Sequence, residues 1–374
     1  MLPLARTDTS LIGQWWWTVD RWTLAAIIVI MCMGIMLVAA ASPPVALGHN
    51  LPSYYFVKRH IMMLPAAFLL MTGVSLLSPR GIRRLGLAML VVFIPLMVAT
   101  LLFGAEVKGA RRWIYIMGFS LQPSEFIKPA FAVAAAWLFA KGRAEEKFPG
   151  VRISIAVYGV ILALLLLQPD LGMSAVLTAI WGCQFFLAGL PIMLVIGLGL
   201  LGGLGLVGAY MFLPHVTSRI DRFLDPASGD TYQIQRSLEA FSNGGLFGTG
   251  PGQGQVKWHL PDAHADFIFS VAGEEFGMFM ALFIIALYAF IVMRGMSRLL
   301  HDEDLFVLLA GGGLLTQVGL QAMIHMASSL HLMPTKGMTL PFISYGGSSL
   351  LALGIGMGMI LSLTRKRVGA RGFS

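Results

Sequence analysis

Residues 152–189 read RISIAVYGVILALLLLQPDLGMSAVLTAIWGCQFFLAG, and this stretch decides the fold class. It contains two apolar runs, 152–168 and 172–189, each close to the roughly 20 residues that an α-helix needs to cross a bilayer. The break between them contains Pro169 and Gly172, which end one helix and turn the chain. The pattern predicts two neighbouring transmembrane helices that reverse direction at this break.

The composition extends this conclusion to the whole chain. Of 374 residues, 57% are hydrophobic and 12% are charged, against roughly 45–50% and 25% in soluble domains. So few charges cannot cover a water-facing surface, which excludes a soluble protein and a disordered one. The net charge of +8 is better explained by basic cytoplasmic loops than by nucleic acid, which is not expected as a partner. Cys32 and Cys183 lie in apolar runs and are interpreted as packing residues.

Eight further apolar segments bring the number of predicted spans to ten. We therefore predict an all-α, polytopic membrane protein with about ten transmembrane helices and a large outer loop between helices 7 and 8. The whole chain, 1–374, is expected to form a single integral membrane domain. The predicted spans are 22–41, 57–77, 85–103, 124–140, 152–168, 172–189, 191–213, 267–293, 304–326 and 340–363.

The distribution of positive charge sets the predicted orientation. With the N-terminus inside, the inner segments hold 15 lysines and arginines and the outer segments hold 10, four of them in one long loop that the rule discounts. This bias predicts cytoplasmic tails at 1–21 and 364–374 and a large outer loop at 214–266. Within that loop, the apolar spacing predicts a surface helix near 230–241, which ends at the glycines of 243–245.

Two opposite charges open the fourth predicted span. Glu125 and Lys128 are three residues apart and share one face of the helix. A charge near the bilayer centre costs about 2.5–3.5 kcal/mol on insertion scales, so such residues usually face a cavity. Two interpretations are open: a mutually neutralising pair that lets the helix insert, and a charged wall of a substrate cavity.

The entry to the eighth span carries a second polar group of residues. Asp266 is expected to begin the helix, where an aspartate is commonly only a cap. Glu274 lies eight residues further on, about 12 Å along the axis and on roughly the same face. A cap alone does not explain His264 beside it or a glutamate deeper in the span. All three residues are therefore candidates for a functional site.

Two further segments supply candidate substrate contacts. Residues 334–349 read PTKGMTLPFISYGGSS, a composition typical of a cavity wall or of close helix packing. Lys336 and Ser344 are the candidates in this segment, and Lys336 is placed to meet a phosphate. Arg112, next to a second arginine and a tryptophan in the loop after the third span, is interpreted either as a contact for an anionic head group or as an interfacial anchor.

The glycine-rich run 248–254 is predicted to be a flexible outer loop. The strand and the helix that flank a nucleotide-binding loop are missing around it, which argues against ATP-driven work by this chain alone. Arg219 and Arg222, upstream of the run, are better candidates for anion contacts. No group of residues has the spacing of a specific metal site.

Four blocks of sequence together resemble the SEDS family, the bacterial shape, elongation, division and sporulation proteins. The blocks are 109–113, 122–129, 260–277 and 334–349. The last block resembles division-type members more than elongation-type members, and the tryptophan-rich start is similar to alphaproteobacterial ones. The resemblance implies a ten-helix protein of the bacterial inner membrane, at the division septum, with the 214–266 loop in the periplasm.

The resemblance also implies an activity and a catalytic residue. SEDS proteins polymerise lipid II, an undecaprenyl-pyrophosphate disaccharide-pentapeptide, and work with a class B penicillin-binding protein and other divisome proteins. Residues 260–266, LPDAHAD, match the family's aspartate motif and assign the catalytic role to Asp266. Asp262 and Ala265 replace the family's glutamate and threonine, and His325 stands where the family has an asparagine.

The expected mechanism is glycosyl transfer with inversion, in which Asp266 is the general base on the acceptor hydroxyl. Glu125 is expected to hold a lysine in place, and Glu274 to tune the field of the cavity. The candidate cations for the leaving pyrophosphate are Arg112, Lys128 and Lys336. A divalent ion, Mg²⁺ or Mn²⁺, is a further candidate with no assigned protein ligand.

Two other functions use the same features. A lipid II flippase needs a similar cavity, but it is expected to use sites near the midplane of the membrane. A non-catalytic scaffold of the divisome leaves the acidic residues at the eighth span unexplained. Within the family, an elongation-type polymerase is the alternative to the division type.

Overall fold

The computed structural model describes residues 10–107, 109–116, 118–189, 192–212, 216–217, 220–221, 223, 232–334 and 337–366. Within these ranges the chain forms twelve α-helices and one small sheet. The helices are α1 (Leu11–Thr18), α2 (Arg21–Gly48), α3 (Tyr55–Ser75), α4 (Pro79–Phe103), α5 (Pro123–Ala144), α6 (Gly150–Leu167), α7 (Leu171–Leu187), α8 (Ile192–Phe212), α9 (Tyr232–Gly244), α10 (Ile268–Leu299), α11 (Leu305–Ser329) and α12 (Gly347–Leu363).

Ten of these helices, α2 to α8 and α10 to α12, overlap the ten predicted spans, although α12 begins at Gly347 rather than at residue 340. In the described part of the chain, six of them are long and apolar enough to cross a membrane by length and composition. Two others, α7 and α12, are apolar but shorter. The prediction of an all-α, polytopic membrane protein is therefore confirmed.

The residues just before α2 and just after α12 meet at one end of the bundle, here called the tail end, since the amide of Lys366 donates to the carbonyl of Thr18 at 3.0 Å. Arg294 of α10 donates two hydrogen bonds to the Asp20 carboxylate, at 2.6 and 2.9 Å, and Arg298 lies 3.1 Å from the same group. Arg365, after α12, donates to the hydroxyl of Thr18 at 3.0 Å. These contacts join the start of α2 to the ends of α10 and α12.

The centre of the bundle is α5, in which every residue from Pro123 to Ala136 is buried. Its packing partners include α4, α6, α11 and α12. The contact with α4 is close, since a Cβ on Gly86 would lie 2.6 Å from the side chain of Val133. The charged residues in the first turns of α5 are consequently enclosed by protein.

A three-stranded antiparallel sheet lies at the other end of the bundle, here called the cavity end. Its strands are β1 (Ala105–Val107), β2 (Ala110–Ile116) and β3 (Phe119–Leu121), in the order β1-β2-β3. The sequence predicted only a loop here, because the strands are short and the pairing of β1 with β2 is irregular. The sheet fixes the direction in which the side chain of Arg112 points.

α10 is bent at Gly277, whose φ of 75° and ψ of −174° are not helical. Its 32 residues would extend for about 48 Å, which exceeds a hydrocarbon core of about 30 Å. The part beyond the bend, 278–299, is about 33 Å long and by itself long enough to span the core. The predicted span of 267–293 is therefore displaced, and 268–276 forms a separate segment at the cavity end, here called the outer segment of α10.

α9 confirms the predicted surface helix, although residues 230 and 231 of that prediction lie outside the described residues. It packs on the outer segment of α10, where the hydroxyls of Ser237 and Ser270 lie 2.6 Å apart. The following run, 248–254, is not the flexible loop that the sequence predicted. Its backbone is bonded to α10, since the amide of Thr249 donates to the carbonyl of Glu274 at 2.9 Å.

We expect Gly277→Ala to lower the free energy of unfolding by at least about 2 kcal/mol, because a side chain at a left-handed φ is strained. The added Cβ would also overlap the carbonyl oxygen of Leu246 and lie 2.5 Å from the amide nitrogen of Gly248. Thermal unfolding of the purified protein in detergent measures this loss. Gly159→Ala is the matched control, since its Cβ would meet no atom within 4 Å; equal melting temperatures for the two variants would contradict the prediction.

Candidate functional site

A cavity of about 370 Å³ opens at the cavity end, between α3, α5, α12 and the sheet. Among the described residues, its charged lining consists of two arginines and three carboxylates: Arg59, Arg112, Glu125, Asp170 and Asp266. Three of these five residues, Arg112, Glu125 and Asp266, were predicted from the sequence. A site with charges of both signs can bind an anionic group and act on a proton in the same place.

Asp266 lies on the cavity wall, on a turn that is fixed by backbone contacts. Its amide donates to the carbonyl of Asp262 at 3.0 Å. The carboxylate is directed toward Gly337, where an added Cβ would lie 3.0 Å from Oδ2. The N-cap residue of α10 is Phe267 rather than Asp266, and the side chain of Phe267 makes no capping hydrogen bond. The interpretation of Asp266 as a simple helix cap is therefore wrong.

Ser344 and His264, both predicted to contact substrate, support this turn from behind. The hydroxyl of Ser344 donates to the carbonyl of Ala265 at 2.7 Å, and the amide of Tyr345 donates to the carbonyl of His264 at 3.0 Å. The His264 ring packs against Phe56, with ring centres 4.1 Å apart. Burial lowers the pKa of His264 to about 4, so the ring is neutral at pH 7. Neither side chain is among the residues that line the cavity.

Glu125 and Lys128 form the predicted ion pair, with 2.8 Å between Lys128 Nζ and Glu125 Oε2 and with both side chains buried. Only Glu125 lines the cavity. Lys128 lies behind it and donates to Gln321 at 2.9 Å, while the Gln321 amide donates to the Thr339 hydroxyl at 3.2 Å. The sequence predicted that Glu125 holds Lys128 in place. In the structure it is Lys128 that holds Glu125 at the cavity wall.

Arg112 enters the wall from β2 and reaches the break between α6 and α7. It donates to the carbonyls of Gln168, at 3.0 Å, and Pro169. One of its nitrogens lies 3.6 Å from the Asp170 carboxylate. Arg112 is about a quarter exposed, so part of its guanidinium remains available to an anion. Of the three predicted cations, it is the one that the described structure places on the cavity.

Asp170 and Arg59 line the cavity but were not predicted from the sequence. The 168–172 segment was interpreted only as a turn, although an aspartate between two apolar runs is costly in a membrane and usually functional. Arg59 was counted only as an outer charge, yet it lines the cavity near Tyr345. The signal for Asp170 was present in the sequence, whereas the position of Arg59 depends on the packing of α3 against α12.

Glu274, which the sequence predicted to tune the field of the cavity, does not line it in the described structure. Glu274 is buried and bonds to the backbone of residues 255–257 rather than facing the cavity. Lys336 lies outside the residues that the structure describes, as do Arg219 and Arg222. The predicted contacts of these three basic residues therefore stay predictions.

A model of the FtsW, RodA and SpoVE family, described as "Cell cycle protein", matches residues 21–368. The chain belongs to this family. It is the SEDS family that the four sequence blocks resemble, and the match extends over all ten spans.

Several relatives that share one name align with nearly the full length of this SEDS chain. A protein of Caulobacter vibrioides named "Probable peptidoglycan glycosyltransferase FtsW" is 46% identical over 371 residues, which are 99% of this chain and 95% of the relative. A protein of the same name from Trichlorobacter lovleyi is 34% identical and covers 92% of this chain and 93% of its own length. The similarity to FtsW favours the division type over the elongation type.

Solved structures of SEDS proteins have the same fold. One, described as "Structural coordination of polymerization and crosslinking by a peptidoglycan synthase complex", has a TM-score of 0.77 and 27% identity, and the match covers 92% of this chain and 97% of that one. The rod shape determining protein RodA of Thermus thermophilus has a TM-score of 0.68 and 25% identity, with 93% and 97% covered.

One departure of this SEDS chain from the expected pattern has a structural role. His325 on α11 is fully buried, and its Nδ1 lies 2.6 Å from the carbonyl oxygen of Met338. Met338 lines the cavity. The hydroxyl of Tyr288 donates to the carbonyl of Pro341 in the same segment. Histidine at position 325 therefore anchors the segment that faces Asp266.

Proposed function

We propose that this chain is a division-type peptidoglycan glycosyltransferase that polymerises lipid II into glycan strands. The observation that carries the proposal is a carboxylate, Asp266, on the wall of a cavity that also presents Arg59 and Arg112. In transfer from a pyrophosphate donor, a base can accept the proton of the acceptor and cations can stabilise the leaving pyrophosphate. The full-length relatives named as peptidoglycan glycosyltransferases support the same reaction class.

In the proposed reaction, the Asp266 carboxylate accepts the proton of the acceptor 4-hydroxyl as its oxygen attacks the anomeric carbon of the donor. The new glycosidic bond forms as the bond from that carbon to the pyrophosphate oxygen breaks, so the centre inverts. Undecaprenyl pyrophosphate leaves with its charge, which Arg112 and Arg59 stabilise. The donor already carries an activated bond, so no nucleotide is needed.

The proposal assigns no protein site to a divalent ion, which would be supplied from solution. Among the described residues, no group of three or more His, Cys, Asp or Glu side chains lies close enough together to hold a metal ion. The described side chains do not by themselves form a metal site. Every step above is accordingly assigned to side chains of the chain.

We place the protein in the bacterial inner membrane at the division septum, with both tails in the cytoplasm and the cavity end toward the periplasm. The charge bias of the loops supports this orientation, as do the contacts between the residues just after α12 and Thr18, before α2. The partner we propose is a class B penicillin-binding protein, together with other divisome proteins. A structural relative described as a peptidoglycan synthase complex supports that kind of assembly.

Polymerisation of fluorescent lipid II by the protein purified with its class B partner tests the function. Moenomycin is included to silence contaminating transferases of the other class. We expect long glycan chains that appear only when the complex is present. An intact complex that makes no chains but moves labelled lipid II across a vesicle bilayer would establish the flippase alternative, and a complex that does neither would favour the scaffold.

A further inference from the structure

We propose that Glu274 and Glu275 are positioning residues for Asp266. Their carboxylates tie the segment 249–257, here called the glycine loop, to the outer segment of α10, and thereby hold the turn that carries Asp266. The inference rests on the proposed function, because it concerns the geometry of the proposed base. It gives these two acidic residues a role that does not require contact with the substrate.

Glu274 binds the glycine loop through three backbone amides. Its Oε1 accepts hydrogen bonds from the amides of Gln255 and Val256, both at 2.7 Å, and Oε2 accepts from Lys257 at 3.2 Å. The side chain is buried. Hydrogen bonds to an ionised acceptor are shorter and about twice as strong as neutral ones, so this one carboxylate fixes three successive residues.

Glu275 binds the same loop from the neighbouring position. Its carboxylate pairs with the buried ammonium group of Lys257 and accepts the amide of Gly252 at 2.9 Å. The main chain adds to the contact, because the carbonyl of Glu275 accepts the amide of Gly250 at 3.0 Å. Separation of a buried ion pair leaves uncompensated charges, which is energetically costly. The pair between Glu275 and Lys257 therefore holds the glycine loop in one arrangement.

The close approach of the two segments depends on the glycines that the sequence concentrates here. Gly248 has a φ of 85°, and a Cβ on it would overlap the carbonyl oxygen of Glu275. A Cβ on Gly254 would lie 2.8 Å from Glu274 Oε2. The glycine-rich run is thus explained by its contact with the outer segment of α10, without a nucleotide.

The glycine loop is connected to Asp266 by a short stretch of chain. The loop ends in the 3₁₀ turn Val256–His259, which is followed by the turn that carries Asp266, and that turn joins the start of α10. Leu260 packs in a small buried apolar cluster with Phe267 and Val271. Since both ends of 258–266 are attached to one helix, the loop contacts reduce the conformations open to Asp266.

The test compares Glu274→Gln and Glu274→Ala in the complex with the partner, by lipid II polymerisation and by amide hydrogen exchange. Gln keeps an oxygen for two of the three amides. We expect the kcat and the protection of 258–266 to fall in the order wild type, Gln, Ala. For Ala, kcat falls about ten- to hundredfold while KM changes by less than about threefold, as expected for a displaced catalytic group.

Glu239→Ala is the matched control, because this glutamate lies on α9 in an exposed pair with Arg236. It is expected to match the wild type in both measurements. Loss of protection at 258–266 without a change in kcat would overturn the inference, as would a lower kcat with protection unchanged. If Ala unfolds the protein, the same comparison is decided by Gln. Full turnover by Asp266→Asn would instead overturn the proposed base, and the exchange results would still show whether the carboxylates hold the turn.

Discussion

Asp266→Asn abolishes most glycan polymerisation, with an expected fall in kcat of about 10²–10⁴-fold, the usual contribution of a general base. Asparagine keeps the size of the side chain but cannot accept the proton of the acceptor hydroxyl. The turn is held by its backbone and by Ser344, so the fold is expected to survive the change. The measurement is single-turnover polymerisation of lipid II by the complex with the partner.

Asp262→Asn is the matched control for this result. It makes the same chemical change four residues earlier, at a position that is not part of the cavity lining. Its backbone has a φ of 53°, which asparagine adopts more readily than most residues. Equal rates for the two variants would remove Asp266 from the role of base, whatever their common value.

Lys128→Met is expected to lower the free energy of unfolding by about 3–5 kcal/mol, because it leaves the buried Glu125 without its partner. It also removes the hydrogen bond to Gln321. Polymerisation should fall with stability, since Glu125 is part of the cavity wall. Thermal unfolding in detergent and polymerisation of lipid II measure the two effects.

Two further variants separate charge from shape in this pair. The double change Glu125→Gln with Lys128→Met removes both charges, and we expect it to recover much of the lost stability. Lys141→Met, at the other end of α5, breaks an exposed pair with Glu145 and is expected to cost less than about 1 kcal/mol. A loss for Lys128→Met no larger than that for Lys141→Met would contradict the assignment of a buried, structural ion pair.

The parts of the fold that follow from local sequence were predictable. Apolar run length is sufficient to locate a span, so α6 and α7 emerge directly from 152–189. The pairing of Glu125 with Lys128 follows from a spacing of three residues on a helix. Asp266 was found from its position beside other polar residues at the entry to an apolar span, and a family motif assigned its role.

The remaining features depend on residues that are far apart in the sequence. Lys128 turns away from the cavity because Gln321, 193 residues later, accepts its hydrogen bond. Arg112 and Asp170 meet through a sheet too short to give a clear pattern. The direction of Glu274 is set by amides of residues 255–257, at the junction of a loop and a 3₁₀ turn. The hydrophobic periodicity and the composition of a sequence carry no information about such contacts between distant residues.

The contact between Asp20 and Arg294 has a consequence for biosynthesis. These residues are 274 positions apart, so at about 5–20 residues per second the ribosome needs roughly 14–55 seconds to deliver the arginine. During that time the first span must remain in the membrane without its final partner. Lys128 differs, because Glu125 becomes its neighbour as soon as α5 forms. The pair can therefore enter the bilayer already neutralised, and the bundle closes only when its last helices arrive.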